Sequence, residues 1–277
     1  MTHRRFNLSL VLKLLILVLI MVGFLFPLYW MVTMGLKGSN EVMRYPPTLY
    51  PHKAVWDNFV KATTTIPFWR WAGNSVYLAV MITLGTVITC PLVAYGLAWV
   101  PFRGRKFVFT TLIIATLIPF TATMIPMFVI WARLSMVNTF WPLIIPAFLG
   151  SPGLIFMLRQ FFRSLPPAMV EAAQMDGANH FQVFRYIMLP LSKAAIAVAG
   201  VWAFIGSWND FFGPLLYAQD DSMYTIQLGL TQYRTYETIH VEWQMAGAAL
   251  TVLPVVLVIL VVQRWILEQE LRSGVKG

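Results

Sequence analysis

Six long apolar runs divide the sequence, and they limit its possible folds more than any other feature. A helix needs roughly 20 apolar residues to cross a hydrocarbon core about 30 Å thick. Only helices and closed barrels form all the backbone hydrogen bonds that lipid cannot supply. Charged residues make up 11% of the chain, against roughly 25% in soluble domains. We therefore expect an all-α membrane protein forming one domain over residues 1–277. Its six transmembrane helices are predicted at residues 12–33, 72–100, 107–131, 141–160, 191–212 and 244–265.

The first and third apolar runs each allow two interpretations. His3, Arg4 and Arg5 precede the first run, as in a secretory signal peptide, but no small-residue cleavage site follows it. We interpret it as a retained span. Pro119 and Pro126 interrupt the third run, which predicts either ordinary kinks or a broken helix that lines a pathway.

The basic residues predict the orientation of the chain. Thirteen of the 20 lysines and arginines fall in the predicted inner segments, against seven in the outer ones. The inner segments are the N-terminal segment, the turn at 101–106, the loop at 163–190 with its flanking residues and the C-terminal tail. Since cytoplasmic segments carry an excess of these residues, we expect both termini and the 163–190 loop in the cytoplasm. The same distribution explains the formal net charge of +9 without a nucleic-acid partner.

The 163–190 loop is a long polar segment flanked on both sides by apolar runs, and its first half is typical of a short helix. Ser164 is a candidate N-cap, and Pro166 and Pro167 suit a first helical turn. Helical spacing then predicts one shared face, formed by Met169, Ala172 and Ala173.

The second half of this loop predicts a turn and another short helix. Gly177 stands where the first helix should end, because glycine enters the left-handed region without a Cβ clash. Asn179 can cap the second helix, on which Phe181, Phe184 and Met188 are spaced to share a face. Taken alone, the segment is consistent with a surface amphipathic hairpin.

The order of residues in this hairpin resembles the EAA loop in membrane subunits of bacterial ATP-binding-cassette importers. In that family the loop is a coupling helix that sits in a cleft of the cytoplasmic ATPase, and Phe181 and Phe184 would be its aromatic anchors. The residues that carry the resemblance are Glu171, Ala172, Ala173, Asp176, Gly177, Ala178, Ile187, Leu189 and Pro190.

A polar cluster, Trp208-Asn209-Asp210, lies near the predicted outer end of the fifth run. An ionisable group in a span is a candidate functional residue, so these three residues could line the translocation pathway. The alternative is that Asp210 lies in the headgroup region and only caps or ends the helix. The stretch 208–215 and the ending 263–277 resemble the maltose-type, sugar-importing branch of the same family. The ending departs from that branch's pattern, because it lacks an alanine and carries Glu268 and Glu270.

The resemblance implies a type I importer permease subunit in a bacterial inner membrane. Its partners would be a second, different permease subunit, two ATPase subunits, an extracytoplasmic solute-binding protein and the lipid bilayer. It implies no cofactor and no enzymatic activity in this chain, and a sugar or oligosaccharide as the solute, with glycerol phosphate or a polyol as alternatives.

Two other classes of membrane protein fit the sequence less well than an importer subunit does. A secondary transporter or channel would need ionisable residues at mid-membrane, and the middles of the six runs carry none. An intramembrane enzyme would need a nucleophile and a base, and no GxSxG or HExxH motif occurs. The chain has no GxxxxGK[ST] loop for ATP. Its four scattered histidines and lone Cys90 predict no metal site.

Overall fold

The computed structural model describes residues 8–233 and 239–274. Some residues on which the sequence predictions depend lie outside these ranges. They are His3, Arg4, Arg5, Arg234 and the tail residues 275–277. The helices are α1 (Leu8–Gly35), α2 (Ser39–Val42), α3 (Asp57–Thr64), α4 (Phe68–Trp99), α5 (Arg105–Leu117), α6 (Phe120–Arg133), α7 (Trp141–Leu149), α8 (Pro152–Ser164), α9 (Pro167–Met175), α10 (His180–Val183), α11 (Leu189–Leu191), α12 (Lys193–Trp208), α13 (Phe212–Tyr217), α14 (Ile226–Gly229) and α15 (Val241–Gly274). A π-helical turn at Phe184–Met188 joins α10 to α11, and short 3₁₀ turns occupy Asp221–Met223 and Leu230–Gln232.

Four segments of the described chain are long and apolar enough to cross a membrane without a sharp bend: Leu12–Gly35, Phe68–Trp99, Trp141–Ser164 and Val241–Gln263. Two further pairs of helices pass the same criterion but are bent. The α5–α6 pair bends by 104°, and the pair His180–Leu191 and Lys193–Trp208 bends by 77°. The number of spans is therefore four, or up to six if each bent pair crosses the membrane once.

The bend between α5 and α6 has a local cause in Pro119. Ile118, the residue before it, has φ −78° and ψ 117°, which is extended backbone. A proline disfavours the helical region for the preceding residue and has no N–H to continue the helix. The third apolar run is therefore a broken helix at Pro119, whereas Pro126 lies inside α6.

The break between α7 and α8 is stabilised by a contact with α4. Gly150 ends α7 with φ +98°, a conformation that glycine adopts without a Cβ clash. The next N–H, that of Ser151, donates to the buried Sγ of Cys90 at 3.4 Å. The lone cysteine thus satisfies a backbone donor exposed by the break.

The chain divides into two compact units. The first comprises residues 1–68 and 230–253. Within it, the amide of Asn58 donates to the carbonyl oxygens of Gly35 and Lys37 at 2.9 and 2.8 Å. The Ser39 hydroxyl donates to Glu242 Oε1 at 2.7 Å. These buried polar contacts fix the segment after α1 against α3 and the start of α15.

The second unit comprises residues 69–229 and 254–277. Its hydrophobic core joins the end of α4, most of α8 and the inner side of the 163–190 hairpin. The buried members of this core are Cys90, Ala94, Tyr95, Leu97, Ala98, Ile155, Leu158, Phe162, Val170, Val183, Phe184, Met188 and Ala199. The hairpin is therefore packed onto the helix ends.

Candidate functional site

The first arm of the hairpin begins later than the sequence predicts. Ser164 is the last residue of α8, and its hydroxyl donates back to the Phe161 carbonyl at 2.7 Å. The predicted Ser164 cap is wrong, because Leu165 and Pro166, each followed by proline, are forced out of the helical region. Pro166 occupies the position before the first turn of α9 and makes no side-chain cap.

The buried face of α9 also differs from the predicted one. Val170 is buried and Ala173 packs against the same core, one helical turn apart. Met169 and Ala172 are exposed, so the predicted face of Met169, Ala172 and Ala173 is wrong for two of its members. Glu171 is also exposed, which leaves the outer side of the helix free for a partner.

The turn after α9 is a Schellman motif, a standard helix ending. The N–H of Ala178 donates to the Ala173 carbonyl at 2.9 Å, and the N–H of Gly177 donates to the Gln174 carbonyl at 3.0 Å. Gly177 has φ +86°, which confirms the predicted left-handed residue. Asp176 precedes it as an exposed residue at the helix end.

The second arm begins with a capping box. The Asn179 side chain accepts from the N–H of Gln182 at 2.9 Å, and the Gln182 side chain accepts from the N–H of Asn179 at 2.8 Å. The predicted Asn179 cap is confirmed. The contribution of Gln182 was missed, although asparagine followed three residues later by glutamine is the sequence signature of this motif.

Phe181 and Phe184 point in different directions, contrary to the shared face expected from helical spacing. Phe181 is 67% exposed, whereas Phe184 is 6% exposed. Phe184 packs on Tyr95 of α4, with ring centroids 5.2 Å apart. Because Phe184 is held in the chain's own core, it is not available as the outward anchor that the resemblance implies.

The hairpin rests on Tyr95, near the end of α4. The Tyr95 hydroxyl lies 3.3 Å from His180 Nδ1 at the start of α10. The Tyr95 ring also meets Phe162 of α8 edge-on, with centroids 6.2 Å apart. Nothing in the sequence pattern indicated this support, since it depends on tertiary contacts between distant segments.

Two arginines of α8 tie that helix to the end of α4. Arg159 Nε donates to the Leu97 carbonyl at 3.2 Å, and Arg163 Nη1 donates to the Ala98 carbonyl at 3.4 Å. The last carbonyls of a helix lack intrahelical partners and carry partial negative charge, so cations stabilise them. These bonds make the base of the hairpin stiff.

The outer side of the hairpin is apolar and acidic. Its exposed residues include Glu171, Ala172, Met175, Asp176, Gly177 and Phe181, and we call these six the hairpin face. No lysine or arginine occurs between residues 164 and 184. The hairpin face therefore suits a partner surface with an apolar pocket and a basic rim.

The polar cluster Trp208-Asn209-Asp210, predicted to lie on the outer side, is arranged around helix ends. Trp208 is buried and stacks on Phe204, with ring centroids 6.0 Å apart. Asn209 is exposed and its amide donates to the Ile205 carbonyl at 3.0 Å. Asp210 Oδ1 accepts from the N–H of Gly213 at 3.0 Å, in the first turn of α13. This bond attaches Asp210 to the first turn of α13, and its role in a pathway stays a prediction.

Among the residues described, no group of three or more histidine, cysteine, aspartate or glutamate side chains could hold a metal ion. The four histidines include His180 on the hairpin, whose ring nitrogen contacts Tyr95.

Comparison with known proteins gives one family and several full-length relatives. The family described as "Binding-protein-dependent transport system inner membrane component" matches residues 81–271. The arabinooligosaccharides transport system permease protein AraQ of Halalkalibacterium halodurans is 32% identical, with 91% of each chain covered. The sn-glycerol-3-phosphate transport system permease protein UgpE of Escherichia coli is 34% identical, covering 87% of this chain and 88% of the relative.

A solved structure is similar over nearly the whole chain. It is a crystal structure of a bacterial ABC transporter involved in the import of the acidic polysaccharide alginate. The TM-score is 0.77 at 22% sequence identity, over 96% of this chain and 99% of the other. The two chains share a fold.

Proposed function

The chain belongs to the binding-protein-dependent transport system inner membrane component family, and on that premise we propose that its hairpin couples the membrane helices to a cytoplasmic ATPase. The chain is a transport subunit of an ATP-driven importer and not an enzyme. The observation that carries the coupling proposal is the division of the hairpin into two sides. Val170, Val183 and Met188 are buried in the chain's core, whereas Glu171 and Phe181 face outward.

This division supports a mechanical role for the hairpin. ATP hydrolysis occurs on another subunit, so its energy must reach the helices through a contact that does not yield. The Tyr95 contact and the arginine bonds to the end of α4 provide such a stiff connection. Movement of the ATPase would then shift α4 and α8 together and bias the helices between inward-open and outward-open packings.

We also propose the cytoplasmic orientation of the hairpin and of both termini. The test is a pair of single-cysteine substitutions read with a membrane-impermeant thiol reagent in intact cells. Asp221→Cys should react from outside, and Asn179→Cys should react only after the membrane is opened; both positions are exposed. Native Cys90 is buried and should stay unlabelled. The reverse labelling pattern would refute the orientation and the coupling role together.

For the solute we propose a sugar or oligosaccharide. Two relatives are named for arabinooligosaccharides and sn-glycerol-3-phosphate, so glycerol phosphate or a polyol is the second candidate. Acidic residues offset the lysines and arginines of the predicted outer loops, which disfavours a strongly anionic solute. Ligand screening of the cognate solute-binding protein tests this choice directly.

The proposed partners are a second, different permease subunit, two ATPase subunits and the solute-binding protein. Transport into vesicles should require internal ATP and should survive collapse of the ion gradients. Transport that follows an ion gradient without ATP would instead favour a secondary transporter. Subunit masses of the purified complex distinguish a heterodimer of permeases from a homodimer.

Charge reversal at Glu171 tests the coupling role. Glu171→Lys should lower co-purification of the ATPase by at least about tenfold, because it places like charges against the proposed basic rim. Membrane insertion and pairing with the second permease should not change, since Glu171 is exposed and is not part of the hydrophobic core. Asp221→Lys is the matched control, because it makes the same charge change at an exposed residue of the predicted outer side. Equal loss in both variants, or none in either, would exclude the hairpin face as the docking surface.

A further inference from the structure

A groove of about 590 Å³ lies in the second compact unit, between the middle of α4, the length of α12 and the later part of α15. Most of its wall is aliphatic or aromatic. The wall includes Thr83 of α4, Gly200 and Phe204 of α12, and Val258 of α15. Two cations, Arg185 and Lys193, lie at one end. The groove is thus apolar along its length and doubly positive at its mouth.

The two cations at the mouth are not held by the chain in the way that Arg159 and Lys61 are. Arg159 donates to a helix-end carbonyl and lies 3.8 Å from the centroid of the Phe109 ring, and Lys61 pairs with Asp57 at 2.8 Å. Among the side chains that the structure describes, no carboxylate forms an ion pair with Arg185 or Lys193. The mouth of the groove therefore has positive charge to offer to an anion.

The length of the groove matches one leaflet of a bilayer. Its wall runs along α12 from Lys193 to Phe204, a rise of roughly 16 Å at about 1.5 Å per residue. The hydrocarbon core is about 30 Å thick, so one leaflet is roughly half of that. An acyl chain that enters beside Lys193 would end near the level of Phe204.

We propose that this groove binds one anionic phospholipid from the cytoplasmic leaflet, with the headgroup phosphate held by Arg185 and Lys193 and an acyl chain along α12. The inference rests on the proposed cytoplasmic orientation of the hairpin. Basic pockets between transmembrane helices on that side are suited to anionic headgroups. Because Arg185 belongs to the π-helical turn that ends the hairpin, the lipid would contact the junction between the hairpin and α12.

The test is lipid retention by the complete importer, purified with its partner subunits and titrated with phosphatidylglycerol or phosphatidylcholine of equal chain length. Native mass spectrometry counts the bound lipids. At roughly fivefold in affinity per cation, we expect about a 25-fold preference for phosphatidylglycerol. The double variant Arg185→Gln/Lys193→Gln should reduce that preference to about one. Arg103→Gln/Lys106→Gln is the matched control, with two exposed cations removed from the basic turn, and should keep it.

A volume change provides a second, charge-neutral test. Ala197 lines the groove, and Ala197→Leu should fill part of it. We expect this variant to retain less lipid in the groove, while the lipids bound elsewhere on the complex keep their preference for phosphatidylglycerol or phosphatidylcholine. Should the wild type retain both lipids equally, or should the control lose as much as the test variant, the proposal is wrong. It also fails if millimolar inorganic phosphate displaces the anionic lipid, because the mouth then binds phosphate alone.

One further outcome identifies a different occupant. If Ala197→Cys forms a cross-link to the second permease subunit, the groove is a seam between subunits and holds no lipid. Failure of the lipid proposal leaves the function untouched, since ATPase co-purification and solute-stimulated hydrolysis are measured separately. If the ATPase did not co-purify with the wild-type permease, the coupling role would be refuted, and lipid retention could still be measured.

Discussion

Replacement of Gly177 tests whether the shape of the hairpin turn is required for ATPase docking. Gly177 has φ +86°, and a Cβ built there meets no atom within 4 Å. The penalty of a side chain is therefore conformational and not a clash. A left-handed L-residue costs roughly 1–2 kcal/mol, and β-branching places Gly177→Val at the upper end. Asparagine tolerates this region better, so Gly177→Asn should cost the least.

The expected result follows from the Schellman bonds of Ala178 and Gly177 to the end of α9. If the turn must keep this shape to dock, a cost of 1–2 kcal/mol lowers ATPase affinity by about 5- to 30-fold in Gly177→Val. Gly177→Ala should show a smaller loss and Gly177→Asn the smallest. Insertion and permease pairing should stay normal, because Gly177 is exposed and a Cβ there meets no neighbouring atom.

The assay is affinity measurement between the purified permease pair and the ATPase, followed by hydrolysis with loaded solute-binding protein. The ranking valine, alanine, asparagine is the signature of a backbone effect. If asparagine were as harmful as valine, side-chain bulk on the hairpin face would be the cause. Wild-type affinity for Gly177→Val would mean that the turn geometry is not needed for coupling.

Two further substitutions address the outer cluster and the support of the hairpin. Asp210→Asn keeps an acceptor for the N–H of Gly213, so we expect normal thermal stability. Transport should be reduced if Asp210 lines the pathway, whereas normal transport would mean that Asp210 only supports the start of α13. Tyr95→Phe keeps the ring contacts but removes the bond to His180, which should cost about 0.5–1.5 kcal/mol in unfolding free energy and lower the transport obtained per ATP hydrolysed. Unchanged coupling in Tyr95→Phe would contradict the role of Tyr95 in transmitting movement.

The features of the hairpin that could be predicted are those set by adjacent residues. The left-handed Gly177 and the Asn179 cap depend on the backbone preferences of a few neighbouring positions, and both are confirmed. The predicted Ser164 cap was wrong because Pro166 and Pro167 force the residues before them, Leu165 and Pro166, out of the helical region. A motif that considers one capping position does not include this effect. Local rules worked where the determinants were local.

The directions of the aromatic side chains could not be predicted in the same way. Helical spacing placed Phe181 and Phe184 on one face, but the support for Phe184 comes from Tyr95, far away in sequence. The outer cluster shows the same limit, since its order in the chain gave no sign that Asp210 bonds to the start of α13. Contacts between distant segments decided which residues of each motif are accessible.

The π-helical turn at Phe184–Met188 controls the phase of the chain that follows it. Val183 and Met188 are five residues apart and both fully buried, whereas five residues of regular α-helix would separate them by about 140° around the axis. A π turn is in effect an α-helix with one extra residue. Removing a single residue from 184–188 would therefore rotate α11, which follows the turn directly, by about 100° relative to α10. At this junction the number of residues constrains the protein more tightly than their identity.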